Sequence, residues 1–263
     1  MSTVLDFERL KMEGHKISIV TAYDAWSARI VARSRVDAIL VGDSAAMVMH
    51  GHTTTVAATV AVMALHTRAV ARASGDKFLI VDLPFLSFRK GVSAAMATVG
   101  TLVQSGAQAV KLEGVDGHEE VITQIVGSGV PVMGHIGLTP QSVNQLGGFR
   151  VQGKGNGQAE KLAQQAHALE ALGCFSIVLE CIPAALASRI TSELRIPTIG
   201  IGAGPGTDGQ VLVLQDLWGV DPSRAPRFVR RYLDGERLLT NAIDEYDADV
   251  KHARFPTPEE SYS

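Results

Sequence analysis

The chain has 263 residues, 46% of them hydrophobic and only 5% aromatic, so its core is aliphatic and large enough for one big domain or two small ones. A formal net charge of -3 argues against a nucleic-acid surface or an anionic membrane surface as partner. The apolar run Ala57–Leu65 is too short to span a bilayer, and Met1 to Lys16, which holds Asp6, Glu8 and Glu13, lacks the basic start and apolar centre of a signal peptide, so a cytoplasmic chain is expected.

A helix is expected first, over about Val4 to Met12. Short aliphatic runs then recur as strands: Ile17–Thr21, Ala38–Val41, Phe78–Val81, Ala109–Leu112, Val130–Gly134, Ser176–Leu179, Pro197–Ile201 and Gln210–Leu214. Helical patterns lie between most of them. Asp24 is placed to cap a helix through Arg33, and Thr59 one through Ala73. His118 to Ile125 reads as another. Leu162, Ala166, Leu169 and Gly173 share a face opposite Glu160 and Gln164. Pro183 suits the first turn of a helix through Leu194. The polar tail from Asp247 to Ser263 is expected to be loosely held.

Eight strands alternating with helices imply a parallel sheet covered on both faces. The spacing fits an α/β (β/α)8 TIM barrel with an N-terminal helix, as a single domain over residues 1–263. A doubly wound open sheet is the runner-up, because strand count does not show closure.

In such a barrel the chemistry sits at the carboxyl ends of the strands. Lys111 and Glu113, two residues apart, leave one face of an apolar strand, where charges need partners. Asp43 with Ser44, Asp82, His135 and Glu180 end other runs. Asp43, Asp82 and Glu113 would repel one another unless a cation joined them. Oxygen donors without nearby cysteine favour magnesium, manganese or calcium over zinc. Glu180 closes a very apolar strand, where desolvation would raise its proton affinity and suit it as a general base; a salt bridge to Lys111 is the plainer alternative. Lys111 could form a Schiff base, but the acids around it favour an electrostatic role. His50 and His52 read as solvent-facing, and His66 and His118 as structural.

Two tempting motifs fail. Gly148 to Gly155 follows a Walker A loop until its last position, where Ser or Thr should stand, so Gly147–Gly157 reads as a mobile lid over acidic substrates. Gly204 to Gly209 matches G-x-G-x-x-G but precedes a strand rather than a helix. The two cysteines, Cys174 and Cys181, flank a strand whose seven extended residues span roughly 23 Å, so they do not bridge each other.

Ordered motifs run along nearly the whole chain: Thr21-Ala-Tyr-Asp24, Val41-Gly-Asp-Ser44, Asp82-Leu-Pro-Phe85, Val110-Lys-Leu-Glu-Gly114, Gly134 to Ser142, Gly147 to Gly153, Val178-Leu-Glu-Cys181 and Ile199 to Gly204. With these the chain resembles the ketopantoate hydroxymethyltransferases (3-methyl-2-oxobutanoate hydroxymethyltransferases) of pantothenate biosynthesis. The resemblance implies a (β/α)8 barrel that binds magnesium and a 2-oxo acid. It implies Asp43, Asp82 and Glu113 as metal ligands, and Asp43, Ser44, Asp82, Lys111 and His135 as substrate contacts. Glu180 matches the proton acceptor. It further implies 5,10-methylenetetrahydrofolate as one-carbon donor to 3-methyl-2-oxobutanoate, and a homo-oligomer, a decamer. Departures are Ala45-Ala46 after the Asp-Ser pair, Val56 to Thr59, and the tail at Glu260-Ser261. The rival reading is a magnesium-dependent 2-oxo-acid lyase or mutase of the isocitrate lyase type.

Overall fold

A computed structural model of the protein describes residues 3–221 and 226–262. Met1 and Ser2, at the start of the stretch tested for a signal peptide, and Ser263, the end of the polar tail, lie outside the described residues. Residue contacts divide the chain into two compact units, Met1–Val213 and Leu214–Ser263, where the sequence reading drew one domain over 1–263.

The first unit holds eight parallel strands: β1 Ile17–Thr21, β2 Ala38–Val41, β3 Phe78–Asp82, β4 Ala109–Lys111, β5 Val132–Gly137, β6 Ser176–Glu180, β7 Thr198–Ile201 and β8 Gly209–Leu212. They pair in chain order, and β8 pairs back onto β1, Ile17 opposite Gly209, which closes the barrel. The open-sheet alternative is thereby removed. Helices α1 Val4–Met12, α2 Ala25–Ala32, α3 Val60–Ala71, α4 Val92–Gln104, α5 Glu119–Gly127, α6 Asn156–Ala171 and α7 Ala184–Glu193 complete the ring. The capping residues act as expected: Asp24 Oδ1 accepts from the Ser27 amide at 2.8 Å and Thr59 Oγ1 from the Val62 amide at 3.2 Å.

Side chains alternate along a strand, so residues two apart share a face. Ile19, Leu40, Ile80, Ala109, Met133, Val178, Ile199 and Val211 meet in one buried cluster along the barrel axis. Phe7 of α1, fully buried, joins that cluster and packs edge-on against Phe78 and Phe175, with ring centroids 5.7 and 5.1 Å away. Lys11, further along α1, donates to the carbonyls of Thr191 and Ile196 at 3.0 Å each and pairs with Asp208 at 2.9 Å. The N-terminal helix is thus fastened across the foot of the barrel.

The second unit contains Leu214–Trp218 and Gly235–Lys251 as helices. The expectation of a loose tail from Asp247 is corrected over its first residues: the second helix continues to Lys251, Lys251 pairs with Asp247 at 2.7 Å, and Arg254 pairs with Asp249 at 2.7 Å. Among the described residues no helix is long and apolar enough to cross a membrane.

Candidate active site

The same alternation that builds the apolar axis delivers the polar groups. Ile80 faces inward, so Asp82 does; Ala109 does, so Lys111 does; Met133 does, so His135 does; Val178 does, so Glu180 does. Asp43 and Glu113 stand two residues beyond β2 and β4. Five of the eight strands, β2 to β6, therefore change from aliphatic to ionisable at one level, the carboxyl end of the barrel.

Lys111 Nζ lies 2.5 Å from Asp82 Oδ1, and the other oxygen of Asp82 accepts from the Asp43 amide at 3.0 Å. His135 Nε2 is 3.1 Å from Glu180 Oε2 and its Nδ1 is 3.7 Å from Glu113 Oε1. Neither imidazole nitrogen is aligned for a hydrogen bond. His135 was read as ending its strand; it lies inside β5, which runs three residues further than expected. The expected strand ended at Gly134; a β-carbon there would stand 2.6 Å from Leu169 of α6, so this glycine serves close helix packing within the strand.

Burial and like charge set the proton affinities. Asp43 is pushed up to about 7, by burial and then by the charge of Asp82, with Lys111 opposing. Glu113 is held well above the ordinary carboxylate value by burial and then Asp43. Glu180 is pushed up to about 8 by burial, again against Lys111. Burial alone would lower Lys111, but Asp82, Asp43 and Glu113 outweigh it and the ammonium is held more firmly than usual. His135 is kept neutral by burial and by Lys111.

Two residues that the sequence reading left without a role belong here. Gln141 donates its side-chain amide to Asp43 Oδ2 and to the Leu83 carbonyl, each at 2.9 Å, and its backbone amide to Glu113 Oε2 at 3.0 Å. Tyr23 Oη lies 2.7 Å from Ser44 Oγ. Both stand in stretches that carry the family resemblance, but neither residue type marks chemistry by itself. His50 and His66, read separately, form a pair: their Nε2 atoms are 2.8 Å apart, and His66 Nδ1 donates to the Tyr23 carbonyl at 2.5 Å. A small cleft, with room for about one water molecule, is lined by Phe85, Phe88, Arg89, Glu113 and Gln141 among others, beside the carboxylates.

Among the described residues no three His, Cys, Asp or Glu side chains stand together as a closed metal-binding group. The donor chemistry nevertheless fits a hard cation. Asp43, Asp82, Glu113 and Glu180 stand around the Lys111 ammonium, and three of them bind protons more tightly than usual, through burial first and the charge of neighbouring carboxylates after it, a repulsion that a cation would relieve. Gln141 takes one oxygen each of Asp43 and Glu113 and leaves the other, an arrangement that suits an ion keeping water and substrate oxygens in its shell.

The segment read as a lid begins with left-handed Gly147 and Gly148, and the Gln152 amide donates to the Cys181 carbonyl at 2.9 Å, next to Glu180. Gly209 opens β8, so a strand follows the G-x-G-x-x-G match, as the spacing indicated. Cys174 and Cys181 are free, and burial pushes both thiols up to about 12.

Residues 1–258 match the family described as ketopantoate hydroxymethyltransferase. A protein of Bdellovibrio bacteriovorus named 3-methyl-2-oxobutanoate hydroxymethyltransferase is 54% identical over 263 residues, covering 100% of both chains. Among solved structures, a phosphonopyruvate hydrolase in complex with oxalate and Mg++ superposes with a TM-score of 0.65 at 11% identity, over 99% of this chain and 93% of that one. A 2,3-dimethylmalate lyase, titled a member of the PEP mutase/isocitrate lyase superfamily, superposes with a TM-score of 0.60 at 16% identity, over 100% of this chain and 92% of that one. These two structures share the fold.

Proposed function

The chain belongs to the ketopantoate hydroxymethyltransferase family of pantothenate biosynthesis, and from that premise we propose that it moves a hydroxymethyl group from 5,10-methylenetetrahydrofolate to 3-methyl-2-oxobutanoate with magnesium in the site. The product is 2-dehydropantoate. The observation that carries this reading is the placement of Glu180, a partly buried carboxylate with raised proton affinity, on the same inner face as Lys111 and the Asp43, Asp82 and Glu113 cluster.

Asp43, Asp82 and Glu113 would hold magnesium, with Gln141 orienting two of them. When bound, the ion supplies Lewis-acid polarisation of the keto oxygen. Glu180 takes the proton from the third carbon, and its apolar setting strengthens it as a base. Negative charge then grows on the keto oxygen, and Lys111 offers a fixed ammonium towards it. Ser44 and neutral His135 supply polar contacts to the 2-oxo acid. The nucleophilic third carbon bonds to the methylene carbon of the donor, both carbon–nitrogen bonds to that carbon break, water supplies the hydroxyl oxygen, and tetrahydrofolate leaves.

The rival lyase or mutase reading has fold likeness on its side. The thiols oppose the version that uses a catalytic cysteine, because Cys174 is buried, Cys181 is half-buried, and both are far from ionising at neutral pH. The family further supports a cytoplasmic homo-oligomer, a decamer, which sedimentation would test. Turnover of 3-methyl-2-oxobutanoate is to be measured with and without magnesium and methylenetetrahydrofolate. Dependence on both is expected. Carbon–carbon cleavage without folate would replace this reading with the rival one.

A further inference from the structure

Three hydroxyls stand in line at the mouth of the barrel. Thr21 ends β1, is buried, and is a hydrogen-bond partner of the Tyr23 hydroxyl. Tyr23, 1% exposed, reaches Ser44 Oγ at 2.7 Å. A β-carbon on Gly42 would stand 2.7 Å from Ser44 Oγ and 3.5 Å from Asp82 Oδ2, so the Ser44 hydroxyl and the Asp82 carboxylate flank one point. Tyr23 is pinned from behind, because its carbonyl accepts from His66 Nδ1. His66 Nε2 in turn lies 2.8 Å from His50 Nε2.

Each hydroxyl carries one hydrogen, so the line can run in only two directions. The carboxylate and keto oxygens of a 2-oxo acid accept and do not donate. A ligand oxygen at Ser44 therefore takes the Ser44 hydrogen. The Ser44 oxygen must then accept from Tyr23, and the Tyr23 oxygen from Thr21. Buried Tyr23 has no bulk water to offer another arrangement. We infer that Tyr23 is a positioning residue that aims the Ser44 hydroxyl hydrogen at the bound 2-oxo acid, with the line running Thr21 to Tyr23 to Ser44 to substrate. The inference deepens the proposed function and rests on its reading of Ser44 as a substrate contact. Each donor in such a line polarises the next, so Ser44 donates more strongly than a lone serine would.

A double-mutant cycle tests this, read as the calorimetric Kd of 3-methyl-2-oxobutanoate with magnesium present. Tyr23→Phe should weaken binding about tenfold in the wild-type background. In the Ser44→Ala background the same change should cost about twofold or less, because the hydrogen being aimed is already gone. A merely structural Tyr23 would cost the same in both, and that result overturns the inference. Ser44→Ala binding as tightly as wild type also overturns it, while leaving the transfer reaction untouched. Failure of the wild type to bind 3-methyl-2-oxobutanoate would overturn the proposed function and the orienting role together. Thr21→Val, nearly unchanged in volume, repeats the cycle one hydroxyl further back with a coupling of about threefold, and it decides the matter if Tyr23→Phe does not fold.

Discussion

Lys111 Nζ and Asp82 Oδ1 lie 2.5 Å apart with both side chains more than nine-tenths buried. This ammonium opposes the rise in proton affinity of Asp43, Glu113 and Glu180. A buried pair adds little net stability, but removing one partner strands the other.

Lys111→Met should therefore destabilise the metal-free protein by about 3–5 kcal/mol. The loss should depend on pH. Carboxylates with raised folded pKa values keep protons that the unfolded chain has already lost, so stability falls as pH rises from the ordinary carboxylate range towards about 8, the value of Glu180. Without Lys111 that fall becomes steeper. Urea unfolding at pH 5 and pH 8 measures it, and an equal loss at both would show that the carboxylates do not depend on this lysine.

Glu180 must lose its proton to act as base, and burial holds that proton up to about 8. Exchange of the third-carbon hydrogen of 3-methyl-2-oxobutanoate in heavy water, with magnesium, should rise with pH and level off near that value. Glu180→Gln should slow the exchange by about 10²–10⁴ while the keto acid still binds. Exchange at the wild-type rate would pass the role to His135, which is neutral and 3.1 Å away.

Asp43, pushed up to about 7, and Glu113, held well above its ordinary value, carry protons near neutral pH that a cation would displace. Magnesium binding should release protons at pH 7, seen as a calorimetric heat that changes with the ionisation heat of the buffer. Chelation should abolish turnover. Asp43→Ala and Asp82→Ala should each weaken metal-dependent binding more than a Glu113 substitution, whose contact is expected to run through water. Full activity in chelator would end the magnesium reading.

Gly137 closes β5 with φ +96°, and a β-carbon there would stand 2.2 Å from the Glu180 carbonyl. Backbone cannot yield as a side-chain tip does, so Gly137→Ala should displace Glu180. Misplacement of a reacting group by about 1 Å costs about 10² in rate, and that loss is expected in the exchange assay. Unchanged exchange would mean that the paired ends of β5 and β6 absorb the methyl group without moving Glu180.

The strands were legible because each is a short aliphatic run bounded by polar residues. The inward set followed from alternation alone: once Val178 is core, Glu180 points into the barrel. Closure was not legible, since it rests on Ile17 meeting Gly209 across nearly the whole chain. The extent of β5 was misread because Gly134 looks like a stop in one dimension and acts as a packing position in three. Gln141 and the His50–His66 pair escaped for a related reason. Their meaning lies in partners that are distant in sequence, Asp43 for one and Tyr23 for the other.

Phe7 and Lys11 have a consequence for traffic. With α1 fastened by a buried phenyl ring and a three-partner ammonium, the end of the barrel opposite Lys111 and Glu180 is covered by a helix. A two-substrate reaction in such a well is first-in, last-out. The compound that sits deepest against Lys111 has to arrive before the carbon donor, and the product formed from it has to leave after the spent donor has gone. Product-inhibition patterns read that order directly, and random-order patterns would mean that the donor does not cover the deeper subsite.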